Sequence, residues 1–359
     1  MKRALNFSPG PAVLPMSVLE ETSQAVLDYN GLGMSVMEMS HRSKEYDALF
    51  VETQNDTLKL MGLSPDEYTV LFLGGGASLQ FIMLPMNFLH KKADYVNTGE
   101  WASKAIKEAQ FVGECNVVAS SKEANFTYIP KDIKFNADAD YIHITTNNTI
   151  YGTAYKNLPD TGSVPLVSDM SSDIFSRPRD FSRFSLIYAG AQKNIGPAGV
   201  TLVVIKKSFL DTAKTTAPTM LKYKTHVDAG SMFNTPPCLA TYVVGRTLKW
   251  IMAQGLEAVE ANNIKKANYL YDIFDAYPDF YKGTVKDKAD RSLMNITWNL
   301  PTPELEDKFI KEAKAKYGML NLKGHRSVGG MRASVYNACP MDWVQTLAKF
   351  MEEFMKENK

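Results

Sequence analysis

The sequence predicts an α/β protein, with a large domain on a mostly parallel seven-stranded sheet and a smaller α/β domain beside it. Three observations carry that expectation. Seven short strand-like runs, at 68–73, 93–97, 114–118, 141–145, 165–168, 185–189 and 200–205, are separated by helical patterns, and such alternation favours parallel strands covered by helices. From 236 onwards the order changes: helical stretches at 236–253 and 255–277 are followed by strands near 293–298 and 331–336 and helices near 302–317 and 340–357. A chain of 359 residues, 45% hydrophobic and 22% charged, can bury two substantial cores. The expected boundaries are 15–257 for the large domain and 1–14 with 258–359 for the small one, the helix from 255 leading out of the first.

Taken in order, several elements end in residues that can do chemistry. The strand 68–73 runs into Gly74-Gly-Gly-Ala-Ser78 and then an apolar helix to about Phe88. Glycines allow close backbone approach, and the free amides and dipole of a helix N-terminus attract an anion, phosphate above all; the same triplet also suits a plain tight turn. Trp101, in Asn97-Thr-Gly-Glu-Trp101, stands at a helix start where its flat side chain can cover a ring or simply join the core. Thr149 closes the polar run Thr145-Thr-Asn-Asn-Thr149 after a strand, a place for a ligand contact or for turn chemistry. The strand 165–168 ends abruptly in Asp169, at the sheet edge where α/β proteins bind ligands, although aspartate also caps helices.

Lys193 follows the strand 185–189, in Tyr188-Ala-Gly-Ala-Gln-Lys-Asn-Ile-Gly-Pro-Ala-Gly199. Its neighbours are small and stiff. A desolvated lysine loses its proton readily and can condense with a carbonyl; taken alone, an exposed turn lysine is the competing reading. Pyridoxal 5'-phosphate (PLP) is the common cofactor that needs such an amine, an acid for its ring nitrogen and a cradle for its phosphate. Lys193, Asp169 and the 74–78 glycine turn supply the three.

The segments Met34-Ser-Val-Met-Glu-Met-Ser-His-Arg-Ser43, Gly75-Gly-Ala-Ser78, the lysine segment 188–199, Gly230-Ser-Met-Phe-Asn-Thr-Pro-Pro237 and Lys323-Gly-His-Arg-Ser-Val-Gly-Gly-Met-Arg-Ala-Ser334 together resemble the phosphoserine aminotransferase family, class V PLP-dependent transaminases of fold type I. The likeness runs from Asn6 to the last helix. It implies amino transfer between L-glutamate and 3-phosphohydroxypyruvate in serine biosynthesis, giving phosphoserine and 2-oxoglutarate, and in bacteria often 4-phosphohydroxy-L-threonine of vitamin B6 synthesis as well. It implies that Lys193 carries the cofactor and moves the substrate proton, that Asp169 pairs with the ring nitrogen, that Trp101 stacks on the ring and that Thr149 bonds at the ring or its acid. The cofactor phosphate would lie against Ala77 and Ser78 with Gln192 beside it, and Asn234 and Thr235 would reach it from the other subunit of a homodimer. Arg332 would grip the α-carboxylate, with His41, Arg42, His325 and Arg326 around the substrate phosphate or side-chain carboxylate.

Arginine forks suit such anionic substrates, though any one of these arginines taken singly reads as a surface ion-pair partner. Two positions depart from the family pattern. Ser78 stands where many relatives carry an arginine, so another cation replaces it or phosphate affinity is lower; Pro9 stands where some carry a serine.

Composition agrees. A formal charge of +1 argues against nucleic acid and an electrostatically held membrane protein. The N-terminal stretch breaks into a turn before a signal-like core forms, and the aliphatic run 200–205 is too short to span a bilayer, so a cytoplasmic protein is expected. Cys115, Cys238 and Cys339 form no C-x-x-C pair and read as small buried hydrophobes. The five histidines show no metal-ligand spacing, and no metal is expected. Rival readings are another class V enzyme, such as a serine or alanine:glyoxylate aminotransferase or a cysteine desulfurase using Cys339, and a PLP-binding relative without turnover.

Overall fold

The structure is a computed structural model and describes residues 3–359. In chain order the elements are β1 (Leu5–Asn6), α1 (Met16–Leu27), α2 (Lys44–Met61), β2 (Tyr68–Leu73), α3 (Gly76–Phe88), β3 (Lys92–Asn97), α4 (Glu100–Gln110), β4 (Glu114–Ser120), β5 (Ile142–Thr145), β6 (Leu166–Asp169), β7 (Phe184–Gly190) and β8 (Thr201–Lys206). They continue with α5 (Lys207–Leu210), α6 (Tyr223–Asp228), α7 (Cys238–Met252), α8 (Leu256–Ala276), β9 (Lys282–Gly283), β10 (Asn295–Asn299), α9 (Pro303–Tyr317), β11 (Met319–Leu320), β12 (Met331–Ser334) and α10 (Met341–Asn358).

Seven strands form one sheet in the order β2-β8-β7-β6-β5-β3-β4. β8 runs antiparallel to both its neighbours, β2 and β7, while the steps from β7 to β4 are all parallel. The central strands β5 and β6 are buried along their whole length, as strands covered on both faces must be. Because strand side chains alternate between faces, Phe72 and Val204 join a core with Phe50, Val244 and Leu248 of α2 and α7. Their neighbours Leu71 and Val203 join Phe81, Tyr95, Ala105 and Tyr188 on the opposite face.

A third core lies in the smaller α/β unit. There α8, α9 and α10 pack Leu270, Phe274, Phe309, Phe350 and Phe354 against Trp298 of β10 and Met331 of β12. The sheet there has the order β12-β10-β9. Phe7 and Val13 belong to this core, and β1 pairs in parallel with β11, Leu5 facing Met319.

Local chemistry sets the helix ends. Thr302 caps α9 by accepting the Leu305 amide, Pro303 sits in the first turn with Glu304 and Glu306, Lys314 and Lys316 sit in the last, and left-handed Gly318 stops it. The strands and late helices fall within about two residues of the positions expected from sequence. The two-residue strands β1, β9 and β11 were not anticipated, being too short to show a period. Of the cysteines only Cys339 is buried. Cys115 and Cys238 are half-buried, one on the edge strand β4 and the other opening α7.

Candidate active site

The carboxyl ends of β2, β3, β5, β6 and β7 each deliver one part of a single cavity of roughly 220 Å³. Gly76, Ala77 and Ser78 open α3 after β2; Trp101 is the second residue of α4 after β3; Thr149 and Ile150 follow β5; Asp169 ends β6; and Gln192 and Lys193 follow β7. The smaller unit and the N-terminal segment close the cavity with His325, Arg332, Pro9 and Gly10. This is the crevice outside the strand ends where open α/β sheets hold ligands.

The Lys193 amine donates to the Thr149 hydroxyl at 2.7 Å and stands 5.2 Å from the centre of the Trp101 ring. Burial pushes its pKa down to about 8; Asp169 opposes that shift and Arg332 adds to it. Asp169 is the one carboxylate among the described lining residues. Burial raises its pKa, while Lys193 and the Ser171 amide, which donates to it at 2.9 Å, pull it back. No helix follows Asp169, so the capping alternative reduces to this one turn contact.

Gly75 and Gly76 hold left-handed backbone, φ 88° and 66°, which glycine adopts without strain. They turn β2 into α3 and leave the amides of the first turn free at Ala77 and Ser78, where the helix dipole favours an anion. Two lining residues carry donors without partners: the Trp101 indole Nε1 and the Arg332 Nε are both buried and unbonded. Arg332 is fixed by its Nη1, which donates to the Thr149 carbonyl at 3.2 Å.

Of the residues picked out in the sequence, Ala77, Ser78, Trp101, Thr149, Asp169, Gln192, Lys193, His325 and Arg332 line the cavity. His41, Arg42, Asn234, Thr235 and Arg326 do not; Arg42, Asn234, Thr235 and Arg326 are exposed. Sequence reasoning missed a buried polar network behind the site. Asn147 bonds Ser172, Ser292 and Asn295, and Asn295 bonds Ser334 and Tyr336. Tyr336 then donates to the Pro9 carbonyl at 2.8 Å. The signal was the polar run 145–149, every residue of which is buried, far more than a surface turn requires.

The family model for aminotransferase class-V matches residues 4–347. The chain belongs to the class V aminotransferase family. It is 54% identical to a curated phosphoserine aminotransferase of Desulfosudis oleivorans, over 99% of each chain. The phosphoserine aminotransferase structure from Bacillus circulans subsp. alkalophilus superposes with a TM-score of 0.97 at 49% identity, covering the whole of both chains. A PLP-bound phosphoserine aminotransferase from Trichomonas vaginalis gives 0.91 at 36% identity, over 98% of this chain and 100% of that one.

Proposed function

We propose that this chain is a PLP-dependent transaminase that moves an amino group between L-glutamate and 3-phosphohydroxypyruvate, giving O-phospho-L-serine and 2-oxoglutarate in serine biosynthesis. The observation that carries it is a lysine of lowered pKa sharing one cavity with a single buried carboxylate, Trp101, Arg332 and the open first turn of α3. Full-length identity to phosphoserine aminotransferases supports the substrate.

The residues fit the cofactor. The open first turn of α3 matches a phosphate, Asp169 matches a protonated ring nitrogen, and Trp101 offers a ring face with an unbonded indole N–H. PLP supplies an aldehyde for the amine and an electron sink for the carbon that loses its proton. Lys193 would hold the aldehyde and, once released, act as the base at the substrate α-carbon; a pKa of about 8 leaves part of it unprotonated near neutrality. Thr149 keeps the amine directed. Asp169, buried and acceptor-only when ionised, would fix the ring's protonation state. Arg332, held by the Thr149 carbonyl, would place the α-carboxylate.

The partner is a second copy of the chain. Asn234, Thr235, His41 and Arg42 would serve a site they do not line, and both groups adjoin exposed apolar side chains: Phe233 beside Asn234 and Thr235, and Leu32, Met34 and Met37 before His41 and Arg42. Such surface usually marks an interface. The separate cores support domain boundaries near 15 and 257. Among the described residues no helix is long and apolar enough to cross a membrane, and all three cysteines are free, which supports a reducing, cytoplasmic setting. Cys339 is buried with its thiol pushed up to about 11, the reverse of what a desulfurase nucleophile needs.

Purified protein supplied with PLP should show a visible absorbance band that borohydride removes, and should convert phosphoserine but not serine, alanine or cysteine. Lys193→Ala should abolish the band and lower turnover by at least about a thousandfold. Equal use of serine would overturn the assigned substrate.

A further inference from the structure

A second cavity, of roughly 230 Å³, lies between the two units and shares no lining residue with the proposed reaction site. Asp173 and Arg177, in the loop after β6, form one wall. Glu260 and Ile264, one turn apart on α8, form another, and Leu293 and Met294, leading into β10, close it. Pockets for drug-sized ligands measure about 300–1,000 Å³, so this one suits a smaller molecule.

Charges of both signs stand unpaired there. Asp173 is neutralised by Arg179 at 2.6 Å, and Lys288 and Arg291 both pair with Asp275. Arg177 and Glu260 have no such partner. Among the described residues no carboxylate lies within 4.0 Å of the Arg177 guanidinium and no cation within 4.0 Å of the Glu260 carboxylate; the guanidinium bonds only the Tyr155 carbonyl. The two nevertheless feel each other, since Glu260 favours the charged form of Arg177 against the burial that disfavours it. Both side chains are half-buried, and a charge taken from water without a counter-ion is costly. Lys156, also unpaired, is exposed at the rim. A free cation and a free anion held apart across a small cavity leave room for a ligand that carries both charges.

We propose that this cavity binds a neutral α-amino acid with a short aliphatic side chain, its carboxylate on Arg177, its ammonium on Glu260 and its side chain against Ile264, Leu293 and Met294. A guanidinium fork matches a carboxylate, and the ammonium makes a charge-assisted bond with the opposite wall. Held in this way, the ligand bridges the loop after β6 to α8, and so the large unit to the small one. Nothing in this assignment depends on the transaminase reading above, because the two cavities are separate.

Calorimetric titration of the PLP-loaded, borohydride-reduced enzyme with L-valine tests it, because the reduced cofactor can no longer exchange amines. A Kd of about 1 mM or tighter is expected. Isovalerate, which lacks the ammonium, and isobutylamine, which lacks the carboxylate, should each bind at least about tenfold more weakly. Arg177→Met and Glu260→Gln should each weaken valine binding by a similar factor, while Arg332→Met should leave it unchanged. Binding lost in Arg332→Met and kept in the other two variants would place valine in the reaction cavity and overturn the proposal. So would isovalerate binding as tightly as valine, or no binding of valine to the unaltered chain up to about 10 mM.

Discussion

Lys193 owes its lowered pKa to its surroundings. Apolar burial disfavours its ammonium and Arg332 adds like-charge repulsion, while Asp169 works the other way. Only the neutral amine attacks an aldehyde. The rate at which cofactor-free protein captures PLP should therefore rise with pH to a midpoint near 8, well below the ordinary lysine value of 10.5. Arg332→Met removes a positive neighbour and should shift that midpoint upward. A stopped-flow pH series on both proteins measures it, and a midpoint that does not move would show that Arg332 has no part in setting the amine. At this scale the sequence was informative: small neighbours marked Lys193, and a carboxylate at a strand end marked Asp169. The hydroxyl and carbonyl of Thr149 are different. They tie Lys193 to Arg332 across the two units, and that bridge depends on a long-range contact with no local pattern.

The helix α8 carries a second buried amine, with a structural role. Lys266 is fully buried, and its ammonium donates to the carbonyls of Val335, Tyr336, Asn337 and Cys339 at 2.6 to 3.4 Å. It clasps the turn after β12, whose Asn337 amide donates to the side chain of Asn194, next to Lys193. Burial lowers the Lys266 pKa to about 8. Between that value and the unfolded value of 10.5 the unfolded chain binds more protons, so this group's contribution makes stability rise with pH across that window. Lys266→Met relieves the buried charge but leaves several carbonyls without a donor. The second effect should win, lowering stability by about 3 kcal/mol, which urea unfolding at neutral pH measures. Nothing in 255–277 distinguished Lys266 from the solvated lysines around it. The element itself was legible, because its apolar spacing is a local property; its inward ammonium answers to carbonyls about seventy residues away in sequence.

At the scale of the molecule, the parallel sheet and second unit followed from the order of strand and helix signals, while the assembly followed from no signal of that kind. Exposed Asn234, Thr235 and Arg42, and half-buried His41, do not line the cavity of their own copy. If a partner supplies them, a Lys193→Ala chain and an Asn234→Ala/Thr235→Ala chain, each inactive or nearly so as a homodimer, should complement one another when unfolded and refolded together. Random pairing gives one intact site in half the dimers, or about a quarter of wild-type activity. No recovery would mean that Asn234 and Thr235 do not act across the interface.

The pairing of Leu5 with Met319 has a consequence for the order in which the molecule is made. β1 must wait for β11 to be made, roughly 15–60 s later at ordinary rates of synthesis. Pro9 and Gly10 travel with that strand, so the wall they give the cavity is finished only once β11 has been made. A nascent chain stalled before that point lacks the backing that Gly10 and Ala12 give to Gln192 and Lys193.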